Sequence, residues 1–323
     1  QDLRMKMRVL SGIQPSGKMH IGNYFGMMKR LIEIQESSDS FAFIANYHAM
    51  TSVSDGKSLS ENTLEAAINF LSLGLDPEKT TFWVQSDVPQ VMDLYWTLSN
   101  FTPMGLLERA HSYKDKVAKG ISANHGLFSY PVLMAADILL FDSKIVPVGN
   151  DQIQHVEIAR DVAIKFNNKY GEILTLPEFK IDENLATVPG IDGAKMSKSY
   201  GNTIDIFDTP KALQKRCKKI VTDSTPLEEP KEWESCNVYN LAKLFLNETE
   251  QVALQERYQS GEEGYGHFKL YLAEVIANNF EPYREKQAYY MEHKDEVRDI
   301  LAMGAKKAQA IAKVNLEKIR EVT

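Results

Sequence analysis

Two stretches of the 323-residue chain combine residue types that handle phosphates. The first, residues 11–24, reads SGIQPSGKMHIGNY. Its Gly, Pro and Ser residues make a turn, and His20 can donate to a phosphate oxygen through either ring nitrogen. Gly12 and Gly17 let the backbone approach a nucleotide, and Gly22 leaves room for a base or ribose to lie flat against a helix start. The second stretch, KMSKS at residues 195–199, lies about 175 residues further on, flanked by Gly193, Gly201 and Asn202. It sets two ammonium groups, Lys195 and Lys198, in a flexible loop. Each is a compact, mobile charge that can follow phosphates while bonds change. Chemistry at phosphorus needs positioning and charge neutralisation more than covalent help. Taken singly, the first stretch is equally an ordinary strand-to-helix turn with a histidine cap, and the second a solvated loop with two surface lysines.

The elements around these stretches must position them. Residues 8–13 (RVLSGI), 40–46 (SFAFIAN) and 80–85 (TTFWVQ) read as strands. Between them, Ile21, Phe25, Met28 and Ile32 recur at helical spacing, as do Leu64, Ala67, Phe70 and Leu71 within residues 58–75. Strand and helix in alternation imply parallel pairing with right-handed crossovers, hence an α/β fold built on a doubly wound parallel sheet. The glycine-rich turn then falls between a strand end and a helix start, where open α/β sheets bind phosphates. The pattern continues to about residue 206. Residues 127–141 look helical, with Pro131 blurring the start; 144–147 is a short strand; Ile153, Val156, Ala159, Ala163 and Phe166 mark another helix. Beyond Asp208 only helical patterns follow. Leu241, Leu244 and Phe245 open one helix; Phe268, Leu272, Val275 and Ile276 open another, which Pro282 should kink or end; residues 305–322 form a basic last helix. The expected organisation is a catalytic domain at 1–206 and an all-helical domain at 207–323, its last helix a candidate to pack back on the first domain.

HIGN together with KMSKS resembles the class I aminoacyl-tRNA ligases. GIQPSG with HIGNY, MAADILL at 134–140 and VPVGNDQIQH at 146–155 look like the bacterial-type branch that activates tryptophan. The resemblance implies a class I Rossmann domain, a helical anticodon-recognition domain and a homodimer. It implies L-tryptophan, ATP with Mg²⁺ and tRNA(Trp) as reactants. The tryptophan carboxylate attacks the α-phosphorus, pyrophosphate leaves, and the 2′-hydroxyl of the terminal adenosine then takes the tryptophanyl group. Two departures read as branch differences: Asn23 stands last in the HIGH-type motif, and Tyr200-Gly201-Asn202 follow KMSKS instead of Asp-Pro.

Carried over residue by residue, the resemblance makes His20, Lys195 and Lys198 catalytic. It gives ATP Gln14, Pro15, Ser16, Gly22, Asn23, Lys116, Gly149, Asn150, Asp151, Val188 and the loop Lys195, Met196, Ser197, Lys198 and Ser199. Gly149 to Asp151 would hold the ribose, Lys116 would reach the triphosphate and Val188 would lie near the adenine. Asp151 is also readable as a helix cap, and Lys116 as a solvated loop lysine. Tryptophan would meet Asp137 at the indole nitrogen, Tyr130 and Gln152 at the ammonium and Met134 along the indole. His48 is either a pocket wall or a satisfied core histidine. Asp137 also has a physical argument. Indole N–H is a donor only, so a tryptophan site needs a buried acceptor, and a carboxylate on the apolar run AADILLF fits. Such a site rejects an analogue lacking the N–H by up to roughly 10⁴–10⁵-fold.

Composition narrows the class. With 37 basic and 44 acidic residues the net charge is −7, which argues against non-specific coating of nucleic acid. Local basic patches remain: Lys211, Lys215, Arg216, Lys218 and Lys219, then Lys306, Lys307, Lys313, Lys318 and Arg320 against Glu317 and Glu321. These are candidate tRNA contacts or solvated faces. Cys217 and Cys236 make no CxxC pair, so neither a cysteine zinc site nor an iron–sulfur cluster is expected, and a reduced cytoplasmic setting is. No membrane association is expected, because the longest apolar run, residues 66–75, is about half a span. Residues 1–4, ahead of Met5 and Met7, read as a non-native leader and are set aside. Residues 91–107 carry Met92, Leu94, Tyr95, Trp96, Leu98, Phe101, Met104, Leu106 and Leu107 with Asp93 as the one charge, a surplus that suits a dimer interface. The competing functions are a tyrosine–tRNA ligase, a small-molecule nucleotidyltransferase and a non-catalytic RNA-binding paralogue.

Overall fold

A computed structural model describes residues 6–181 and 187–323; residues 1–4, set aside above, lie outside the described residues. The strands are β1 (Arg8–Ile13), β2 (Asp39–Ile44), β3 (Thr80–Val84), β4 (Ile145–Pro147) and β5 (Glu178–Lys180). They form one parallel sheet in the order β3-β2-β1-β4-β5. Arg8 lies opposite Asp39 and Ile13 opposite Ile44, while Ser40 faces Thr80 and Ile44 faces Val84. The inner strands are near-continuous apolar runs because helices cover both faces of a parallel sheet. The order reverses between β1 and β4, and open α/β sheets bind ligands beyond the carboxyl ends of strands at such a point. The fold is a Rossmann-type doubly wound sheet with a helical C-terminal region. β5 was not legible in sequence: its three residues are all exposed, and pairing of Ile145 with Glu178 holds it rather than an apolar pattern.

Leu10, Phe41, Phe43 and Trp83 of the sheet pack with Leu94 and Leu98, Ala135 and Ile138, Val156 and Ala159, and Ala308 and Ala312. These pairs come from the helices Gln90–Ser99, His125–Leu139, Ile153–Tyr170 and Lys294–Arg320. The helix His125–Leu139 starts earlier than its apolar pattern because the Asn124 side chain caps it, accepting from the Leu127 N–H at 2.9 Å. Pro131 lies inside this helix, and Pro282 lies inside the helix Tyr265–Glu292 instead of ending it. Burial outweighs local propensity at Pro131. Near Pro282, Arg284 Nη2 donates to the Ala277 carbonyl at 2.9 Å.

Of the described residues, 6–17, 31–181 and 290–323 form one compact unit, and 18–30 with 187–289 form a second. The units are thus discontinuous, whereas the sequence suggested one cut at 206. Chain order does not set the grouping. Val297, Leu301, Ala305, Ala308, Ala312, Leu316 and Ile319 bury one stripe of the last helix within the first unit. Lys306, Lys307, Lys313, Lys318 and Arg320 stay exposed, and Arg320 pairs with Asp93. The helix lies directly on β3 at Gly304, where a Cβ would fall 1.7 Å from the Phe82 carbonyl oxygen. Gly304→Ala is therefore expected to destabilise the protein by about 3 kcal/mol in urea denaturation, because backbone cannot yield as a flexible side chain can.

Candidate active site

The first unit gathers its polar groups at the carboxyl ends of β2 and β3 and along the helix His125–Leu139. Asp137 is only 2% exposed. Gln85, directly after β3, donates from Nε2 to Asp137 Oδ2 at 2.8 Å, and His48 Nε2 meets the same oxygen at 2.9 Å. The sense of the Gln85 amide is set by its Oε1, which accepts the Tyr47 N–H at 3.0 Å. Burial holds the Asp137 carboxyl above the ordinary carboxylate range, and the bonds from His48 and Gln85 oppose that shift. His48 sits in the short helix Asn46–Ala49 just past β2. It is both a buried partner of Asp137 and part of a cavity wall. Gln85 is the partner that sequence reasoning missed.

Beside this cluster lies a cavity of about 620 Å³. It brings together Gln14, His48, Lys116, Tyr130, Asp151 and Gln152, with Asn150 at its lining too. The Tyr130 ring lies 4.1 Å from the His48 ring, and its hydroxyl accepts from Gln14 Nε2 at 3.1 Å. Burial raises the Tyr130 phenol above its usual value. Lys116 Nζ stands 5.7 Å over the same ring, so it faces the cavity and not only solvent. Pro15 is buried and Ser16 exposed on the turn after β1, and neither lines the cavity. Met134 is partly buried against the apolar core. Gly149, Asn150 and Asp151 follow β4. The helix Ile153–Tyr170 has Gln152 at its N-cap with no side-chain cap bond, so the capping role read for Asp151 is not found.

His155 is a second group that sequence reasoning passed over, although it ends the run 146–155. Its Nδ1 lies 2.8 Å from Gln152 Oε1, while Nε2 is buried without a hydrogen-bond partner among the described residues. Burial, foremost, lowers its pKa to about 4, with His48 adding to the shift and Asp151 opposing it. The ring is therefore neutral near pH 7 and donates through Nδ1 to Gln152. A histidine whose pKa falls on folding favours the folded state fully above pH 6.5, and that contribution fades as pH drops through about 4. In an NMR titration the His155 ring signals are expected to keep their neutral positions down to about pH 5. A midpoint near the ordinary histidine value would contradict this environment.

The second unit carries the HIGN and KMSKS segments. His20 and Asn23 form a reciprocal capping box: His20 Nδ1 accepts the Asn23 N–H at 3.2 Å, and Asn23 Oδ1 accepts the His20 N–H at 3.1 Å. This fixes the neutral tautomer, leaving the ring proton on Nε2. Burial lowers the His20 pKa, Lys198 lowers it further and Asp205 opposes. Asn23 at the last position of the motif thus has a structural task of its own. Gly22 N–H points to Met196 Sδ at 3.4 Å, and Met196 is 4% exposed. Its own N–H donates to the buried Val188 carbonyl at 2.8 Å. KMSKS is therefore a buried methionine between two exposed lysines, Lys195 and Lys198. Ser197 and Ser199 hydroxyls lie 2.9 Å apart.

Of the basic run after the loop, Lys211, Lys215, Lys218 and Lys219 are exposed. Arg216 instead donates to the carbonyls of Gly201 at 2.6 Å and Thr203 at 2.7 Å, which makes it an anchor. Cys217 and Cys236 are buried and free, and burial pushes the Cys217 thiol up to about 12. Among the described residues, no cluster of three His, Cys, Asp or Glu is placed to hold a metal ion, and no helix is long and apolar enough to cross a membrane.

Comparison with known proteins bears on this geometry. Residues 2–281 match the family model described as tRNA synthetases class I (W and Y). A tryptophan–tRNA ligase of Campylobacter jejuni strain RM1221 is 63% identical over 315 residues, covering 98% of this chain and 99% of the relative. That of Fusobacterium nucleatum is 52% identical over 316 residues, covering 98% and 97%. A crystal structure of tryptophanyl-tRNA synthetase from Campylobacter jejuni, complexed with ADP and tryptophan, is similar at a TM-score of 0.95 and 63% identity, covering 98% of this chain and 99% of that one. A tyrosyl-tRNA synthetase from Archaeoglobus fulgidus, at 19% identity and a TM-score of 0.65, shares the fold alone.

Proposed function

The chain belongs to the class I tRNA synthetases of the tryptophan and tyrosine group, and from that membership we infer its reaction and assign its parts to individual residues. It activates L-tryptophan with ATP and transfers the tryptophanyl group to tRNA. Full-length similarity to tryptophan enzymes favours tryptophan over tyrosine. The observation in the chain itself that carries the substrate reading is Asp137. Both donors, Gln85 and His48, meet its Oδ2, so the carboxylate is oriented by two fixed groups, and we assign its Oδ1 to the indole N–H.

We assign the remaining roles as follows in the reaction. Tyr130 and Gln152 receive the tryptophan ammonium and Met134 packs along the indole. Gln14, Pro15, Ser16, Gly22 and Asn23 contact ATP, Gly149 to Asp151 its ribose, Val188 its adenine and Lys116 its triphosphate. A carboxylate oxygen of tryptophan attacks the α-phosphorus, and the bond to the bridging oxygen breaks, so that pyrophosphate leaves with its electron pair. His20 Nε2–H, Lys195 and Lys198 offset the charge that gathers on the departing phosphates, with Met196, Ser197 and Ser199 shaping the loop. Mg²⁺ would arrive on the ATP phosphates and supply further charge neutralisation. The tRNA 2′-hydroxyl then attacks the adenylate carbonyl and AMP leaves. We place tRNA(Trp) on the exposed lysines of residues 211–219 and on the helical residues beyond 207, in the cytoplasm.

A pyrophosphate-exchange panel over the twenty amino acids tests the reading. Exchange should depend on tryptophan, and a preference for tyrosine would overturn the substrate. A homodimer is part of the proposal. Helix Gln90–Ser99 buries Val91, Leu94 and Leu98, yet leaves Met92 41% and Trp96 70% exposed, with Met104 63% exposed nearby. Such large exposed side chains suit an isologous two-fold contact. Light scattering at micromolar concentration is expected to give twice the chain mass, and an active monomer would remove the interface.

A further inference from the structure

We propose that Asn202 is the positioning residue of the KMSKS loop, a single buried amide that fixes the backbone on both sides of Met196 and so aims Lys195 and Lys198. The proposal rests on the reading of that loop as the part that meets the ATP phosphates. Asn202 is only 2% exposed, and burying an amide is costly unless its hydrogen bonds are met. They are met by the loop itself. Nδ2 donates to the Lys195 carbonyl at 3.0 Å and to Asp192 Oδ1 at 2.8 Å, with the Ala194 carbonyl at 3.5 Å. Oδ1 accepts the Ser197 N–H at 2.8 Å. The Asn202 carbonyl accepts the Ile191 N–H at 3.0 Å. One residue thus ties positions 191, 192, 195 and 197 together.

The surroundings are shaped for this side chain. A Cβ at Gly190 would lie 2.2 Å from Asn202 Nδ2, so the amide occupies space that only glycine leaves. Asp192, the acceptor, also takes the Ala194 N–H at 3.1 Å, and its carboxyl is held below the ordinary range by the Asn202 bond first. Gly201, at φ +62°, reverses the chain after the turn Lys198–Tyr200. The Arg216 guanidinium pins the carbonyls on either side of Asn202, those of Gly201 and Thr203, to the helix Pro210–Cys217. The two lysines are exposed and carried by this loop, and Asn202 is the buried group that bonds to its backbone on both flanks of Met196. A serine would fall short of these partners, and an aspartate would lose both donated bonds and face the Asp192 carboxylate.

The test is single-turnover adenylate formation in Asn202→Ala, with tryptophan affinity measured without ATP. We expect formation to slow by about 10²-fold, as a small misplacement of reacting groups does, with tryptophan affinity unchanged. Combining Asn202→Ala with Lys198→Ala should then cost less than the product of the two single losses, because part of the Asn202 effect runs through Lys198. A rate within about threefold of the parent, or losses that simply multiply, would overturn the positioning role. If Asn202→Ala does not fold, Asp192→Asn removes the charge of an exposed acceptor. It should slow the same step in the same direction, and an unchanged rate there counts against the proposal. Normal adenylate formation in Lys198→Ala alone would instead defeat the reading of the loop, which separates the two failures.

Discussion

Alanine at Lys198 or Lys195 is expected to slow tryptophanyl-adenylate formation by roughly 10²–10³-fold, the usual cost of removing one preorganised charge or donor from a transition state. Tryptophan affinity without ATP should stay near the parental value. Both ammonium groups are exposed and carried by a loop whose centre, Met196, is buried. Their contribution grows as charge moves onto the leaving pyrophosphate, so it appears in the rate and not in amino-acid binding. Lys198→Ala has a second expected signature. The Lys198 charge helps to lower the His20 pKa, after burial. Removing it should let that pKa rise, and the acid limb of the pH–rate profile should move to higher pH. Rapid-quench measurement across pH checks both effects, and normal rates in both variants would take the loop out of the chemistry.

The motifs assigned to ATP were legible because they are local: HIGN and KMSKS are contiguous words whose residue types already suggest their chemistry. The sheet was legible because its inner strands are apolar runs between helical patterns. What stayed hidden depends on chain segments far apart in sequence. Gln85 orients Asp137 from 52 positions away, and its role comes from the end of a strand, where no local pattern marks it. Asn202 reads as a loop residue until its amide is seen closing on Lys195 and Ser197. The last helix reads as basic from its lysines and as a candidate to pack back on the first domain, but the contact that holds it there is not marked. Its alternation of small residues, Gly304, Ala305, Ala308 and Ala312, is what lets it lie on β3, and close backbone approach leaves no hydrophobic signal. Arg216 looks like one more phosphate contact in a basic run, but its guanidinium planes two backbone carbonyls instead. Charge counts cannot separate an anchored arginine from free lysines beside it.

Asp137→Asn is expected to lower kcat/KM for tryptophan by roughly 10²-fold, with most of the change in KM, and to shrink the preference for tryptophan over phenylalanine. The substitution keeps the shape and removes one acceptor. Oδ2 of the aspartate already accepts from Gln85 and His48. Gln85 cannot turn its amide over without abandoning the Tyr47 N–H that its own oxygen accepts. An asparagine must therefore keep its oxygen toward Gln85, which leaves its NH₂ facing the indole N–H, donor against donor. The opposite orientation would set that NH₂ against the Gln85 NH₂ within the buried cluster. Either arrangement leaves buried donors unmatched, which is the costly side of hydrogen-bond energetics. Phenylalanine brings no N–H and suffers no such conflict, so discrimination falls faster than affinity for the aromatic ring itself. Gln85→Leu should give a weaker loss with the same sign, since it removes the orienting donor but leaves both carboxylate oxygens. Steady-state pyrophosphate exchange with tryptophan and with phenylalanine measures both ratios. Unchanged tryptophan kinetics in Asp137→Asn would mean that the indole nitrogen finds its acceptor elsewhere.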